Sequence, residues 1–359
     1  MRDEQATWRH SPPEAPHARA KPDPRPTMVD VARRAGVSLK TVSRVVNAEP
    51  GVKGRTTARV QAAIDALGYR RNDAASRLRR GHSPSSLGLV IEDVSNPFYS
   101  ALIYAVERVA LGHQYLVIVG SSEADVVRER ELELAFCARE LDGLLVVPAV
   151  GDHGYLAPEL GRGMPIVFMD RPVEELGADA VLVDNKGGVR DAMIHLGAQG
   201  HRRIAFLGHD TSACYTARER LRGYAEGMRA LGGPEDERLV AMGPHDAASV
   251  RAALDRFRSV DPPTTALITG NNRVTALVLR ALAVNPRARP AIIGFDDFEF
   301  ADLFQPAITV IEQDARAVGQ RAAELLFRRL DGDRQPPQRI VLPTRIIARG
   351  SGEARPATW

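Results

Sequence analysis

The sequence predicts a small helical unit followed by two lobes in which parallel β-sheets are covered by helices. Residues 27–47 have the spacing of two short helices joined by a glycine turn, and from Leu87 onward apolar runs of strand length alternate with helical segments. Continuous apolar strands separated by helices are typical of parallel sheets that are buried on both faces. The number of such units in the rest of the chain favours two doubly wound lobes.

The composition fits a globular protein whose positive charge is concentrated at one end. Of the 359 residues, 44% are hydrophobic, and the chain contains no long apolar run, so no membrane span is expected. Residues 1–82 hold 17 of the 48 Lys and Arg and 8 of the 45 Asp and Glu, a net charge of +9, which leaves −6 for the remainder. This asymmetry indicates a polyanionic partner for the amino-terminal end, although a solvated basic face has the same composition.

Several kinds of site are not expected. Cys137 and Cys214 are too few and too isolated for a disulfide framework or a Cys-rich metal site, and the histidines lack metal-ligand spacing, so neither a metal nor a cofactor is predicted. No dinucleotide-binding glycine motif follows a strand, and neither a Walker loop nor a nucleophile elbow occurs, so an enzyme is not predicted. The amino-terminal residues lack the apolar core of a signal peptide, and we expect a cytoplasmic protein.

The stretch from 27 to 47 has the cap residues of two helices. Thr27 can cap the first helix with Asp30 as its capping-box partner, Gly36 suits a turn that needs positive φ, and Ser38 can cap the second helix. A helix pair with an apolar inner face and a polar, basic outer face is typical of a helix-turn-helix. The predicted inner face holds Val31, Ala32, Ala35, Val42, Val45 and Val46, and the predicted outer face of the second helix holds Lys40, Ser43, Arg44 and Asn47.

The segments around this pair have distinct patterns. Residues 1–26 contain six prolines and no apolar periodicity, which indicates a disordered tail. Thr56 or Thr57 is predicted to open a third helix that Gly68 ends. The short pattern Asp73–Arg80 is about two turns long and too short to be stable alone, so it is either a basic linker or a helix that forms only on DNA.

Polar residues follow the apolar runs at the predicted strand ends, where ligands bind in open parallel sheets. Asn, Asp, Arg and Gln exchange hydrogen bonds with hydroxyl groups, and aromatic faces pack against the apolar face of a ring. Any one of these residues could be a helix cap, but their recurrence predicts a cleft for a small hydroxyl-rich molecule such as a sugar. The strand-end segments are EDVSNPFY (92–99), Asp170-Arg171, ARERLRGY (217–224), Gly270–Asn272, Asp296-Asp297 and Glu312–Asp314.

Taken together, several segments resemble those of lactose-repressor-type bacterial transcription regulators, the LacI/GalR family. They are TMVDVARRAGVSLKTVSRVVN (27–47), VKGRTTARVQAAIDALGY (52–69), RRNDAASRLRRG (70–81), NPFY (96–99), DGLLVV (142–147), VDN (183–185), ARERLRGY (217–224), IIGFDD (292–297) and LPTRIIARGS (342–351).

The resemblance implies a helix-turn-helix headpiece, a hinge helix and a two-lobed core like that of periplasmic sugar-binding proteins. The implied boundaries are a tail at 1–26, the DNA-binding domain at 27–71, the hinge and linker at 72–84, the effector-binding and dimerisation core at 85–351 and a tail at 352–359. The chain would cross between the lobes near Asp184, Gln313 and Pro343. The family's leucine-rich tetramer tail is missing, so a homodimer is expected.

The resemblance also assigns contacts with double-stranded operator DNA. Leu39, Lys40 and Arg44 would face base edges in the major groove, where Arg44 could hold a guanine by two hydrogen bonds and Leu39 offers only apolar contact. Leu78 matches the hinge leucine that enters the minor groove, with Arg79 beside it. The residues expected to contact phosphates or backbone are Thr41, Ser43 and Asn47.

In the core, the resemblance assigns a small-molecule effector site, for a monosaccharide or a derivative of one. Asn272 departs from the aspartate that is usual after Asn271, which removes a charge near the cleft. The implied function is a DNA-binding regulator, a repressor of carbohydrate-utilisation genes; the alternatives are a purine corepressor on the same fold, a transport-type sugar-binding protein and an enzyme. The implied effector contacts are Asn96, Phe98, Tyr99, Asp170, Arg171, Arg220, Asn271, Asp296 and Gln313.

Overall fold

A computed structural model describes residues 26–47, 49–69, 85–209, 214–234, 236–283 and 289–357. The chain divides after Arg80 into two compact units, the headpiece and the core, and each is described here by itself. The predicted hinge helix, with Leu78 and Arg79, lies outside the described residues, as does nearly all of the predicted tail at 1–26.

Three helices form the headpiece: α1 (Met28–Ala35), α2 (Leu39–Val46) and α3 (Gly54–Leu67). The predicted caps are confirmed: Thr27 and Asp30 form a capping box, Gly36 has a φ of 63°, and the Ser38 hydroxyl accepts from the Thr41 amide. The predicted start of the third helix was wrong. That helix begins at Gly54, because the Lys53 carbonyl already accepts from the Thr56 and Thr57 amides.

The headpiece has a small core. Val31, Val42 and Val60, one from each helix, are completely buried, and three alanines complete the buried set. Val45 and Val46, predicted to face inward, are only partly buried against this set. The Arg59 guanidinium of α3 donates to the Ala35 carbonyl at the end of α1 and ties the two helices together. So few buried side chains make the unit marginally stable by itself.

The core begins with a lobe 1 sheet of parallel strands. The inner strands of the sheet are almost wholly buried, whereas its two edge strands, β2 and Arg339–Leu342, are not, and the apolar side chains Leu116, Ile118 and Val119 of β2 are exposed. The elements are β1 (Ser86–Ile91), α4 (Pro97–Gly112), β2 (Leu116–Ser121), α5 (Val126–Cys137), β3 (Gly143–Val146), α6 (Ala157–Gly161), β4 (Ile166–Met169) and β5 (Asp179–Val183), with short 3-10 helices at Gly154–Leu156 and Glu174–Leu176.

The chain then crosses at Asp184 and builds a second sheet, that of lobe 2. Asp184 caps the first helix of this lobe, accepting from the Gly187 amide. The elements are α7 (Asn185–Ala198), β6 (Ile204–Gly208), α8 (Tyr215–Ala230), β7 (Val240–Met242), α9 (Ala247–Ser259), β8 (Ala266–Thr269), α10 (Asn272–Leu282), β9 (Ala291–Phe295) and β10 (Thr309–Gln313), with short 3-10 helices at Glu237–Leu239 and Ala301–Leu303.

Two more passes join the lobes. After β10 the chain returns to lobe 1 as α11 (Ala315–Leu330) and β11 (Arg339–Leu342), and after Pro343 it re-enters lobe 2 as β12 (Thr344–Ile347). The predicted parallel sheets are confirmed, and this last strand alone among the paired strands of the described residues runs antiparallel to its neighbour, β10. The reason is that β10 ends at the lobe boundary and β12 begins there, so the two strands run in opposite directions.

We expect Gly223→Ala to lower the free energy of unfolding of the core by about 1–3 kcal/mol, the usual range for overpacking. A Cβ at Gly223 in α8 would collide with the backbone carbonyl of Lys186 in α7, and that backbone cannot move aside without separating the helices. Chemical denaturation of the full chain measures the change.

Gly112→Ala is the matched control, because a Cβ at Gly112, the last residue of α4, meets no atom within 4 Å. Its stability should be equal to or slightly above that of the wild type, since alanine favours helix. Equal effects of the two substitutions would contradict the close approach of α7 and α8.

Candidate functional site

Helix α2 presents the headpiece residues that the sequence assigned to DNA. Leu39, with 44% of its surface exposed, and Lys40 project from the first turn of the helix. An exposed leucine at the start of a capped helix contributes nothing to the headpiece core, so its position suits an external contact better than packing.

The other assigned headpiece side chains contact their own unit. The Arg44 guanidinium donates to the Pro50 carbonyl and lies 3.8 Å from Glu49, so in this structure it holds the loop after α2. The Thr41 and Ser38 hydroxyls are 2.9 Å apart, and the Asn47 amide donates to the Ser43 hydroxyl. These contacts are at or near the surface, where replacing them with contacts to DNA costs little free energy.

In the core, a cavity of about 510 Å³ lies between the carboxyl ends of the strands of the two lobes. This is the edge at which doubly wound sheets bind ligands. The cavity is lined by all nine of the core residues that the sequence singled out: Asn96, Phe98, Tyr99, Asp170, Arg171, Arg220, Asn271, Asp296 and Gln313.

Two aspartates occupy equivalent positions in the two lobes. Asp170 follows β4 with a φ of 65°, and Asp296 follows β9 with a φ of 70°. Each donates its backbone N–H to the next strand of its sheet, to Val181 and to Ile311 respectively. The left-handed conformation, which aspartate tolerates better than most residues, ends each strand and directs the carboxylate into the cavity.

Both carboxylates are almost completely buried. Burial raises the pKa of Asp170 and of Asp296 above the ordinary value, and the positive charge of Arg220 opposes the shift for both. Asp296 accepts from the Gln313 side chain and from the backbone N–H of Asn272. Asp170 Oδ1, by contrast, has no hydrogen-bond partner among the described residues. An ionised carboxylate so deeply buried needs an additional donor.

Three arginines line the cavity, Arg171 from lobe 1 and Arg220 and Arg273 from lobe 2. Arg171 donates to Glu92, to the Tyr99 hydroxyl at 3.4 Å and to the Pro148 carbonyl at 3.1 Å. Burial raises the pKa of the Tyr99 phenol well above its ordinary value, so that hydroxyl stays protonated. The Arg171 head is therefore anchored within lobe 1.

Arg220 is anchored in lobe 2. Its Nε donates to the Asn185 side chain at 2.7 Å and its Nη1 to the Gly270 carbonyl at 2.5 Å. The guanidinium lies 3.6 Å from the centroid of the Phe295 ring, which is cation–π distance.

A buried glutamate fixes the loop on which Arg171 depends. Glu129 of α5 accepts from the Ala149 amide and bonds His153, both at 2.6 Å. Burial opposes a charge on His153, but its hydrogen bond to Glu129 and the charge of that carboxylate outweigh burial and raise the pKa of His153. Glu129 thus fixes the loop that contains Pro148, whose carbonyl accepts from Arg171.

Side chains also meet across the cleft. The side-chain amide of Asn272, in α10, donates to Asn96 Oδ1 in lobe 1 at 2.9 Å. The next residue, Arg273, pairs with Asp93 and donates to the Ser95 hydroxyl. An aspartate at position 272 would place a carboxylate against the Asn96 oxygen, so the asparagine suits this closed arrangement.

Several cavity residues were missed by the sequence reasoning. Glu92 stands directly after β1 and His209 directly after β6, so the strand-end rule, applied strictly, would have found both. Burial, the largest cause, and the nearby His245 lower the pKa of His209 and favour its neutral form. Cys214 and Thr216 stand at the start of α8, away from a strand end, and no sequence signal marks them.

Among the residues that the structure describes, no group of three or more His, Cys, Asp or Glu side chains is arranged to hold a metal ion. No helix in the same residues is both long and apolar enough to cross a membrane.

Comparison with known families matches both units. Residues 27–72 match the family described as "Bacterial regulatory proteins, lacI family", and residues 193–352 match the "Periplasmic binding protein-like domain". The chain is 30% identical over 336 residues to the HTH-type transcriptional regulator PtxS of Pseudomonas plecoglossicida, which covers 92% of this chain and 97% of the relative.

Solved structures agree with this match. The Lac repressor dimer bound to operator and the anti-inducer ONPF has a TM-score of 0.78 at 25% identity, covering 91% of this chain and 99% of that one. The complex of the transcriptional regulator CelR with cellobiose has a TM-score of 0.66 at 29% identity, covering 91% and 100%. With its helix-turn-helix headpiece and its two-lobed core, the chain belongs to the LacI family of bacterial transcription regulators and is not an enzyme.

Proposed function

We propose that this regulator represses carbohydrate-utilisation genes as a homodimer in the cytoplasm, and that a sugar or sugar derivative in the cleft controls its affinity for the operator. The observation that carries the effector half of the proposal is a set of buried polar atoms around the cavity. Asp170 and Gln313 line the cavity, and Asp170 Oδ1 and Gln313 Oε1 have no hydrogen-bond partner within the described residues. Such unsatisfied acceptors suit a ligand with several hydroxyl groups, because each hydroxyl donates one hydrogen bond.

The remaining walls of the cavity also suit a sugar. Phe98 and Tyr99 pack edge to face with ring centroids 5.1 Å apart and form an apolar side, against which the C–H face of a ring can pack. The related CelR is known in complex with cellobiose, which supports a carbohydrate ligand for this cleft as well. A purine corepressor is the alternative, and the unsatisfied acceptors of Asp170 and Gln313 favour the sugar.

Control of DNA binding follows from the position of the site. Asp170 belongs to lobe 1 and Asp296 to lobe 2, so one ligand contacts both lobes and favours the lobe arrangement that it fits best. In a dimer, a change of lobe arrangement alters the spacing of the two segments that lead to the headpieces. Residues 72–84 are the proposed hinge, which must order on both half-sites for tight binding.

Exposed apolar residues at one edge of lobe 1 support the dimer. Leu116 at the start of the edge strand β2 is 73% exposed, Ile118 and Val119 of the same strand are exposed as well, and Leu111 at the end of α4 is 65% exposed. An uncovered edge strand bearing large apolar side chains is unfavourable in water, and a second copy of the chain would cover it.

On the DNA side, we propose that Leu39, Lys40 and Arg44 read bases and that Thr41, Ser43 and Asn47 hold the backbone. Leu39 and Lys40 are already exposed, whereas Arg44 must first leave the Pro50 carbonyl. The two roles are distinguishable, because base contacts affect one operator position and phosphate contacts affect all sequences alike.

We expect Arg44→Lys to relax specificity at one operator base pair by about 1–3 kcal/mol. Lysine keeps the charge but cannot make the two parallel hydrogen bonds of a guanidinium. Binding to operators varied one base pair at a time, at several salt concentrations, measures specificity and salt dependence together.

Arg34→Lys is the matched control, since Arg34 is an exposed arginine of α1 and the chemical change is the same. It should leave base preference unchanged. Uniform weakening of Arg44→Lys on every sequence would show that Arg44 contacts phosphate or only supports the loop.

We expect Asp296→Asn to abolish the effect of the effector on operator binding while leaving binding without effector intact. The substitution removes an ionised acceptor in the cleft, and the headpiece is a separate unit. Operator titrations with and without a panel of sugars and purines test this. A purine that tightens operator binding, with every sugar inert, would overturn the sugar effector.

The same substitution should raise the melting temperature of the protein at pH 7.5 in the absence of effector, because it removes a buried charge. The raised pKa of Asp296 means that the folded state resists its ionisation, so the wild type gains stability as the pH falls through that pKa. The advantage of Asp296→Asn should therefore shrink on acidification. An advantage that stays constant with pH would show that the carboxylate charge is not the cause.

A further inference from the structure

The charges around the cavity contain a glutamate that the nine assigned effector contacts do not include. Glu92 follows β1 in lobe 1, and its side chain is 31% exposed on the cavity wall. It pairs with Arg171 and accepts from the Tyr99 hydroxyl at 3.2 Å. Since Arg171 already has Asp170 beside it, Glu92 adds a second carboxylate to a single guanidinium.

The arginines of the cavity are already engaged. Arg171 contacts two carboxylates and the Pro148 carbonyl, and Arg220 donates to Asn185 and to the Gly270 carbonyl. At the rim, Arg273 pairs with Asp93 across the cleft. An anion that bound Arg171 would have to displace a carboxylate from it, whereas the partners of Arg220 are neutral.

The charge of the cavity wall depends on Glu92 as well. Glu92, Asp170 and Asp296 line the cavity together with Arg171, Arg220 and Arg273, so three carboxylates balance three guanidinium groups when all are ionised, and without Glu92 the wall would carry an excess of positive charge. Two like charges a few ångströms apart in a partly desolvated site repel by an amount equivalent to at least tenfold in affinity. Hydroxyl groups, by contrast, donate to carboxylates without such a cost.

We propose that Glu92 determines the charge class of the effector: it occupies Arg171 and makes the cleft selective for uncharged sugars over sugar acids and sugar phosphates. This inference rests on the proposed sugar effector and specifies its class. Glu92 is a specificity residue, because it sets what Arg171 can still bind.

The test compares full-length wild type with Glu92→Gln on matched ligands. The probes are glucose, galactose and mannose, the corresponding uronates and the corresponding 6-phosphates, and isothermal titration gives each dissociation constant. Glutamine keeps the shape of the side chain and removes its charge. Glu159→Gln is the matched control, since Glu159 also pairs with an arginine, Arg162, in lobe 1 but outside the cavity.

We expect the wild type to bind at least one uncharged hexose, and its uronate and phosphate at least about tenfold more weakly. In Glu92→Gln that preference should fall by about tenfold or more, and in Glu159→Gln it should stay as in the wild type. Circular dichroism and a cooperative melting transition establish that each variant is folded. The wild-type comparison stands even if a variant is not.

Two results would overturn the inference while leaving the sugar effector in place: an anionic sugar that binds the wild type more tightly than its uncharged counterpart, or a preference that Glu92→Gln does not change. If no sugar of any charge binds either protein, the proposed function and this inference both fail.

Discussion

The burial of two aspartates, Asp170 and Asp296, is the constraint on which the core depends. Each ends a strand in a left-handed conformation, one in each lobe, and each has its carboxylate almost excluded from water. Two buried charges of the same sign would destabilise the fold unless cations and donors surrounded them. Arg171, Arg220 and the Gln313 side chain supply part of that compensation, and the cavity is where the remainder is missing.

This arrangement explains why so much of the chain supports a few side chains. Arg171 is held by the Pro148 carbonyl, and the loop that carries Pro148 is in turn held by Glu129 from α5. In lobe 2, Asn185 at the start of α7 orients Arg220. Rigid supports keep the polar atoms at fixed positions, which lowers the entropy that a ligand must lose to bind. The proposed discrimination by Glu92 uses the same rigidity.

The headpiece, unlike the cleft, is held together by a small apolar core. The six buried side chains of its core are three valines and three alanines, and its polar residues mainly form caps and surface contacts. Such a unit has little stability to spare. Arg44, which here bonds the loop after α2, illustrates how a side chain can serve the fold of the free protein and still be available to DNA.

The sequence by itself determined the elements and the kind of site. The helix caps at Thr27, Gly36 and Ser38 could be predicted from the sequence because capping depends on residues only a few positions away. The apolar strands were readable because parallel sheets bury both faces, and the polar residues after them indicated the cleft because parallel strands end at one edge. The nine assigned core residues do line one cavity.

Only the tertiary structure determined which of those residues form ion pairs and hydrogen bonds with one another. Glu92 and Arg171 are 79 positions apart, and Asn272 and Asn96 are 176 apart, so no local pattern reveals either contact. The antiparallel β12 likewise depends on where the chain re-enters lobe 2. Local sequence patterns therefore predicted most of the cavity residues, and the tertiary structure determined which of them contact one another.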